Sequence, residues 1–178
     1  MRAAIGFSVH TGCAAAVAVG GPRATVLARE HVVLADSDYG RFVYHAARET
    51  PAFAREMVKE SRQVAERRAR KARRGLVAAL ADHEVVAVAL PPARRALPPL
   101  DKILASHSLV HSAEGELFRA ALVTAAGKVG LAVVEVAAGA LPPVKVSGPP
   151  WGKDQRTAAA LAWGALAATR RGGRGARA

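Results

Sequence analysis

The chain has little cysteine, few acidic residues and no long apolar run, and each shortage excludes a class of protein. Cys13 is its single cysteine, which excludes a disulfide framework and a cysteine-rich zinc site. Its apolar runs fall far short of the roughly 20 residues that a membrane-spanning helix needs. The sequence after Met1 resembles a strand and not a signal peptide, so we expect a cytoplasmic protein. A content of 51% hydrophobic residues excludes full disorder, and 178 residues suit one domain with its own core.

The shortage of acids leaves a local excess of positive charge. The chain has 26 lysines and arginines against 14 acidic residues, a net charge of +12. Residues 62–74 contain seven basic residues and one acid, and residues 170–178 add four arginines to a segment that we expect to be disordered. Such clustering favours a nucleic acid partner, DNA or RNA, although a solvated helix face would show the same pattern. The expected phosphate contacts share one face of a helix and are Arg67, Arg70, Lys71 and Arg74.

Hydrophobic periodicity and turn residues predict the element order β-β-β-α-β-α-β-α within a single domain of residues 1–169. Thr50 and Pro51 are typical of a helix start and predict a long helix from Pro51. A meander followed by alternating helices and strands implies a mixed sheet with helices on both faces. The predicted strands cover residues 3–9, 14–19, 24–34, 84–90 and 131–136, and the main helices cover 51–81, 113–128 and 153–168.

Two segments carry a resemblance to a known fold. Residues 4–8 with Gly12, and residues 154–162, which begin at Asp154 and continue in alanines and aliphatic residues, resemble the ribonuclease H-like superfamily. The resemblance is to the branch of the Holliday-junction resolvases and their bacterial relatives. It implies a ribonuclease H-like α/β fold, a mixed five-stranded sheet in which an antiparallel meander of three strands precedes two parallel strands. Residues 105–119 and 148–151 also resemble bacterial proteins that have no assigned activity.

The resemblance also implies a catalytic pattern, which this chain matches only in part. Active members of the superfamily cleave nucleic acid with two metal ions, here Mg²⁺ or Mn²⁺, held by carboxylates at the ends of the first and fourth strands and on the last helix. The corresponding positions are Ser8, Leu90-Pro91 and Asp154. Because only Asp154 is acidic, we expect the usual set of ligands to be incomplete.

Other residues are candidates for a rearranged site at the carboxyl edge of the sheet. Glu114 precedes Leu117 and Phe118 by three and four residues, which predicts an inward-pointing carboxylate. Asp154 and Glu114 are the candidate catalytic residues, although acids are also favoured at helix starts for structural reasons. His107 and His111 have the spacing of one helix face, which two core or surface histidines would share as well. The candidate metal ligands are Asp154, Glu114, His107, His111 and His10.

Three functions remain in order of preference. The first is a ribonuclease H-like protein associated with nucleic acid that lacks the full set of catalytic carboxylates. The second is an inert scaffold or oligomerisation module, in which the alanine-rich last helix packs against a second copy to form a homodimer. The third is a divalent-metal-dependent nuclease or hydrolase with a rearranged site. The sequence leaves open whether the protein is an enzyme.

Overall fold

A computed structural model describes residues 1–93, 96–137, 146 and 148–172 of the chain. Its five strands form one mixed sheet in the order β3-β2-β1-β4-β5, which confirms the expected fold class. The strands are β1 (Arg2–His10), β2 (Cys13–Gly20), β3 (Thr25–Val33), β4 (Glu84–Leu90) and β5 (Ala132–Glu135).

The first three strands form the predicted antiparallel meander, and the other two run parallel to β1. Gly12 has a φ of +83° in the turn between β1 and β2, a conformation that favours glycine. This turn places Ser8 opposite Ala15 and His10 opposite Cys13. β4 pairs in parallel with both β1 and β5. The carboxyl ends of β1, β4 and β5 therefore meet at one edge of the sheet, which we call the rim.

The helices follow the predicted order. No helix in the described part of the chain is long and apolar enough to cross a membrane. The helices are α1 (Asp38–Arg41), α2 (Val43–Glu49), α3 (Ala54–Ala79), α4 (Leu100–Leu104), α5 (His107–Gly127) and α6 (Lys153–Gly172), with a 3-10 turn at Pro51–Phe53 between α2 and α3.

The larger differences from the predicted helix boundaries lie at the start of α3, which begins at Ala54 and not at Pro51, at the start of α5 and at the end of α6. The Thr50 side chain does not cap the helix that follows, because its hydroxyl donates back to the Ala46 carbonyl at 3.1 Å. α5 begins at His107, six residues before the predicted start, because Val110 and Ala113 extend its buried face. α6 continues to Gly172, and residues 173–178 of the expected tail lie outside the described residues.

In the part of the chain that the structure describes, α6 is the one helix that covers the face of the sheet that carries Ala4, Val17 and Ala87. Gly6 allows this close packing, because a Cβ atom at this position would lie 1.9 Å from the Ala158 carbonyl oxygen. The close approach fixes the start of α6 beside the end of β1. The alanine-rich side of α6 is buried on the protein's own sheet, so it is not free to pack against a second copy. The buried α6 residues in this layer are Ala158, Ala159, Leu161, Ala162, Ala165 and Leu166.

The other face of the sheet is covered by α3 and α5, and α2 packs on these two helices. Ile5, Phe7 and Leu90 of the sheet belong to the same buried cluster as Leu76 of α3 and Phe118 of α5. α2 contacts both α3 and α5 in this layer. This packing brings a short helix, α2, against the first turns of α5 near the rim, and it determines which histidines meet there.

Candidate functional site at the rim of the sheet

A cleft of about 390 Å³ lies at the rim. Its walls come from the end of β1 at His10, from Pro91 after β4, and from His111, Glu116 and Arg119 of α5. The cleft therefore occupies the place where a topology of this kind gathers functional side chains.

His10 and Asp154 form a side-chain contact between β1 and α6. The His10 Nε2 atom lies 3.1 Å from an Asp154 carboxylate oxygen, and both side chains are about half exposed. Asp154 occupies the first turn of α6, where a negative charge also interacts favourably with the helix dipole. Ser8 lies two residues before His10 and is almost fully buried. Both side chains of the pair, by contrast, are accessible to solvent.

A buried arginine, Arg119, holds the other acidic groups of the rim. Arg119 donates to the Pro91 carbonyl oxygen at 3.3 Å, to a Glu116 carboxylate oxygen at 3.1 Å and to Glu135. The backbone N–H of Ala93 donates to the second Glu135 oxygen at 3.3 Å. This backbone hydrogen bond, with a smaller contribution from Arg119, lowers the pKa of Glu135 from its ordinary value. Arg119 thus joins the end of β4 to β5 and α5 and places its positive charge between two carboxylates.

Within the described part of the chain, the donor set of the rim does not fit a pair of Mg²⁺ or Mn²⁺ ions. Such ions need several carboxylate oxygens from different elements. Among the described residues, β1 presents Ser8 and β4 ends at Leu90, neither of which supplies a carboxylate. Glu116 and Glu135 already bind Arg119, a fixed cation that repels a metal ion. Asp154 remains, and its partner is a histidine.

A cluster of three histidines lies beside the cleft, and we call it the histidine cluster. It consists of His45 on α2 with His107 and His111 on α5, and one ring nitrogen of each lies within 4.8 Å of those of the others. The Nε2 atoms of His107 and His111 are 3.1 Å apart. Across the ranges that the structure describes, this is the one group of three or more metal-ligating side chains that converges.

Glu114 lies behind the histidine cluster and is buried, with 1% of its surface exposed. One carboxylate oxygen accepts from both the backbone N–H and the Nδ1 atom of His45, at 3.3 and 2.7 Å. The other oxygen has no hydrogen-bond partner among the described residues and lies 3.9 Å from Nδ1 of His111. Because α5 begins at His107, Glu114 lies beyond the first turn, so the helix start does not account for it.

The structure divides the candidate residues of the sequence analysis into two groups. His107, His111 and Glu114 come together, whereas Asp154 and His10 form a separate pair. Among the described residues, Asp154 and Glu114 do not belong to a common cluster of metal-ligating side chains. Sequence reasoning missed His45, because no local signal marks it and only the packing of α2 on α5 brings it to the cluster.

The four basic residues expected to contact phosphate lie on the solvent side of α3, and we call them the basic stripe. Arg67, Lys71 and Arg74 are exposed, and Arg70 lies 3.6 Å from the Glu66 carboxylate. With a rise of about 1.5 Å per residue, the stripe begins about 20 Å from the start of α3. It therefore lies toward the amino end of β4, away from the rim.

Comparison with solved structures identifies the fold. No protein-family model matches the chain, and neither does any curated protein. Thermus thermophilus RuvC in complex with a Holliday junction substrate is 15% identical and superposes with a TM-score of 0.57 over 97% of each chain. A second T. thermophilus RuvC structure is 15% identical and gives a TM-score of 0.52 over 96% of each chain. Sheet order, strand directions and this likeness together show that the chain has the ribonuclease H-like fold of RuvC.

Proposed function

We propose that the protein binds nucleic acid through the basic stripe of α3 and does not cleave it by two-metal carboxylate chemistry. The observation that carries the proposal is the exposure of Arg67, Lys71 and Arg74 on a helix whose opposite side is buried. The likeness to RuvC, which has been solved with a Holliday junction, supports the choice of a nucleic acid over other polyanions.

The charge of α3 suits a polyanion. The helix contains nine basic residues and three acids, and its buried residues Ala65 and Ala69 fix its orientation on the domain. Arg67 and Arg74 are separated by about 10 Å along the helix axis at about 1.5 Å per residue. One strand of a duplex places about three phosphates along that length. The stripe can therefore neutralise neighbouring phosphates without rearrangement of the fold.

The stripe is separate from the rim, so binding and chemistry are tested independently. A triple variant, Arg67→Glu, Arg70→Glu and Arg74→Glu, should weaken binding to labelled duplex, single-stranded and four-way-junction probes. Fluorescence anisotropy gives the binding constant at several salt concentrations. For the duplex probe, the slope of its logarithm against the logarithm of salt concentration should fall in magnitude by about 2.7, because each lost phosphate contact removes about 0.9.

A matched control variant loses the same net charge as the stripe variant but at exposed positions outside the basic stripe. Arg23, Lys102 and Lys128 are exposed and lie outside α3, so their reversal to glutamate should leave the salt slope near that of the wild-type protein. Equal weakening by both triples would show that net charge, and not the stripe, binds the probe. If the stripe variant binds the probes as tightly as the wild-type protein does, the proposal is wrong.

Cleavage assays test the alternative of a metal-dependent nuclease. With Mg²⁺ or Mn²⁺ present, we expect all three probes to remain intact, because the rim lacks the carboxylates that hold such ions. Cleavage that disappears in Asp154→Asn would show instead that a rearranged site is active.

A further inference from the structure

We propose that His45, His107 and His111 together bind one transition-metal ion of the zinc class. The site is distinct from the carboxylate centre that a ribonuclease H-like fold would place between β1, β4 and α6. Imidazole nitrogens suit Zn²⁺, Co²⁺, Ni²⁺ or Cu²⁺ and not Mg²⁺, which prefers oxygen ligands. The inference rests on the histidine cluster and Glu114 and does not depend on nucleic acid binding.

The spacing of the ring nitrogens matches such an ion. Two ligands of a tetrahedral zinc ion at about 2.05 Å lie about 3.3 Å from each other. His107 and His111 occupy successive turns of α5, and their Nε2 atoms are 3.1 Å apart. One ring nitrogen of His45 on α2 completes a group within 4.8 Å, so modest side-chain rotation closes the triangle.

Glu114 orients the histidines as a carboxylate behind a metal ligand does. Its contact at 2.7 Å with Nδ1 of His45 places the ring proton on Nδ1 and leaves Nε2 as a lone-pair donor. Its second oxygen lies 3.9 Å from Nδ1 of His111 and can receive that N–H in the same manner. One buried carboxylate therefore sets the tautomer of His45, and its second oxygen is placed to set that of His111 once the His111 ring moves within hydrogen-bond distance.

A metal ion also accounts for the unpaired oxygen of Glu114. A buried carboxylate is costly unless positive charge and hydrogen bonds compensate it. A contact between the uncharged rings of His107 and His111 supplies no positive charge and leaves that oxygen without a partner. An ion held by three imidazoles instead brings both a positive charge and an Nδ1–H donor toward it.

Three protein ligands leave a fourth position for water. His111 is 56% exposed and also lines the rim cleft, so solvent reaches this side of the cluster. Zinc sites with three protein ligands and an open position are typical of catalytic and not of structural centres. The ion would also link α2 to α5, two elements that otherwise meet through a small contact surface.

Calorimetric titration of the full chain with Zn²⁺ tests the proposal. The protein should carry no histidine tag and should be treated with a chelator and dialysed first. We expect one Zn²⁺ per chain, and a rise in Tm of about 5–10 °C when free Zn²⁺ is 100 times its Kd. Co²⁺ should give the visible absorption bands of a four-coordinate site, a readout independent of any activity.

Substitutions assign the ligands. His107→Ala and His111→Ala should each weaken Zn²⁺ binding at least 100-fold, and Glu114→Gln should weaken it about 10- to 100-fold. His31→Ala is the matched control, because His31 is exposed on β3 outside the cluster, and it should bind as the wild-type protein does. Circular dichroism checks that each variant is folded. His111→Ala is the decisive variant, because His111 is exposed and its loss should not disturb the core.

Two results would overturn the proposal. One is the absence of stoichiometric Zn²⁺ binding by the folded wild-type chain. The other is binding that survives His111→Ala and His107→Ala but disappears in His10→Ala, which would assign the ion to the His10–Asp154 pair instead.

Discussion

Replacement of Gly6 by alanine should loosen α6 from the sheet. A Cβ atom at Gly6 would lie 1.9 Å from the carbonyl oxygen of Ala158 and 2.7 Å from the backbone nitrogen of Ala162. Both are backbone atoms of α6, so no side-chain rotation can relieve the clash. The helix would have to move away from β1 as a unit.

The size of the effect follows from that displacement. An ordinary van der Waals contact of a Cβ begins near 3.4 Å, so the helix and strand must separate by about 1.5 Å. The fully buried side chains of Leu161, Ala162 and Ala165 lose contacts in the same movement. Overpacking of a core by a methyl group costs about 1–3 kcal/mol and more where the backbone cannot yield. We expect a loss of about 3–5 kcal/mol, or roughly 10 °C in Tm.

Thermal and urea unfolding monitored by circular dichroism measure this loss. Gly75→Ala is the matched control, because Gly75 lies within α3 and a Cβ there meets nothing within 4 Å. Alanine at an open helical position should stabilise by about 0.5–1 kcal/mol. If the free energy of unfolding of Gly6→Ala equals that of the wild-type protein, α6 does not pack on β1 as closely as described.

Two titrations test the electrostatics of the fold. The pKa of Glu135 is lowered in the folded chain, so its contribution to stability is present above the ordinary value of 4.5 and is lost as the pH falls through the lowered value. The stability difference between wild type and Glu135→Gln, measured by urea unfolding, should therefore vanish in acid; a constant difference would contradict this account. Burial raises the pKa of Tyr44 above 10, against the opposing charge of Arg62, so folding stability should fall as the pH rises past 10. In a Tyr39→Phe variant, where Tyr44 is the sole tyrosine, ultraviolet absorbance should show ionisation above 10, and a step at or below 10 would contradict the burial.

Strong local patterns allowed the sequence to predict most of the fold. The valine-rich segment at Glu84–Leu90 is buried at its carboxyl half and forms a parallel strand, as a short apolar run between polar turns indicates. Gly12 and the residues 20–22 mark the turns of the meander. The spacing of Glu114 from Leu117 and Phe118 correctly predicted that its carboxylate is buried.

Features that depend on tertiary contacts were not predictable. Thr50 has the sequence of a helix cap, yet its hydroxyl finds an acceptor in the preceding helix. Asp154 precedes the buried residues Ala158 and Leu161 by four and seven positions, a spacing that favours an inward side chain, yet its side chain is 46% exposed. The role of His45 depends on the docking of α2 against α5, which no periodicity in the chain encodes.

The central claim, that the basic stripe contacts phosphate, is tested most directly by nuclear magnetic resonance. Side-chain Nε–Hε signals of the arginines report on each guanidinium separately during titration with a short duplex or a four-way junction. The proposed contact predicts that the signals of Arg67, Arg70 and Arg74 shift first and most, and that they return on addition of salt. Shifts confined to Arg119 at the rim, with the α3 signals unchanged, would contradict it.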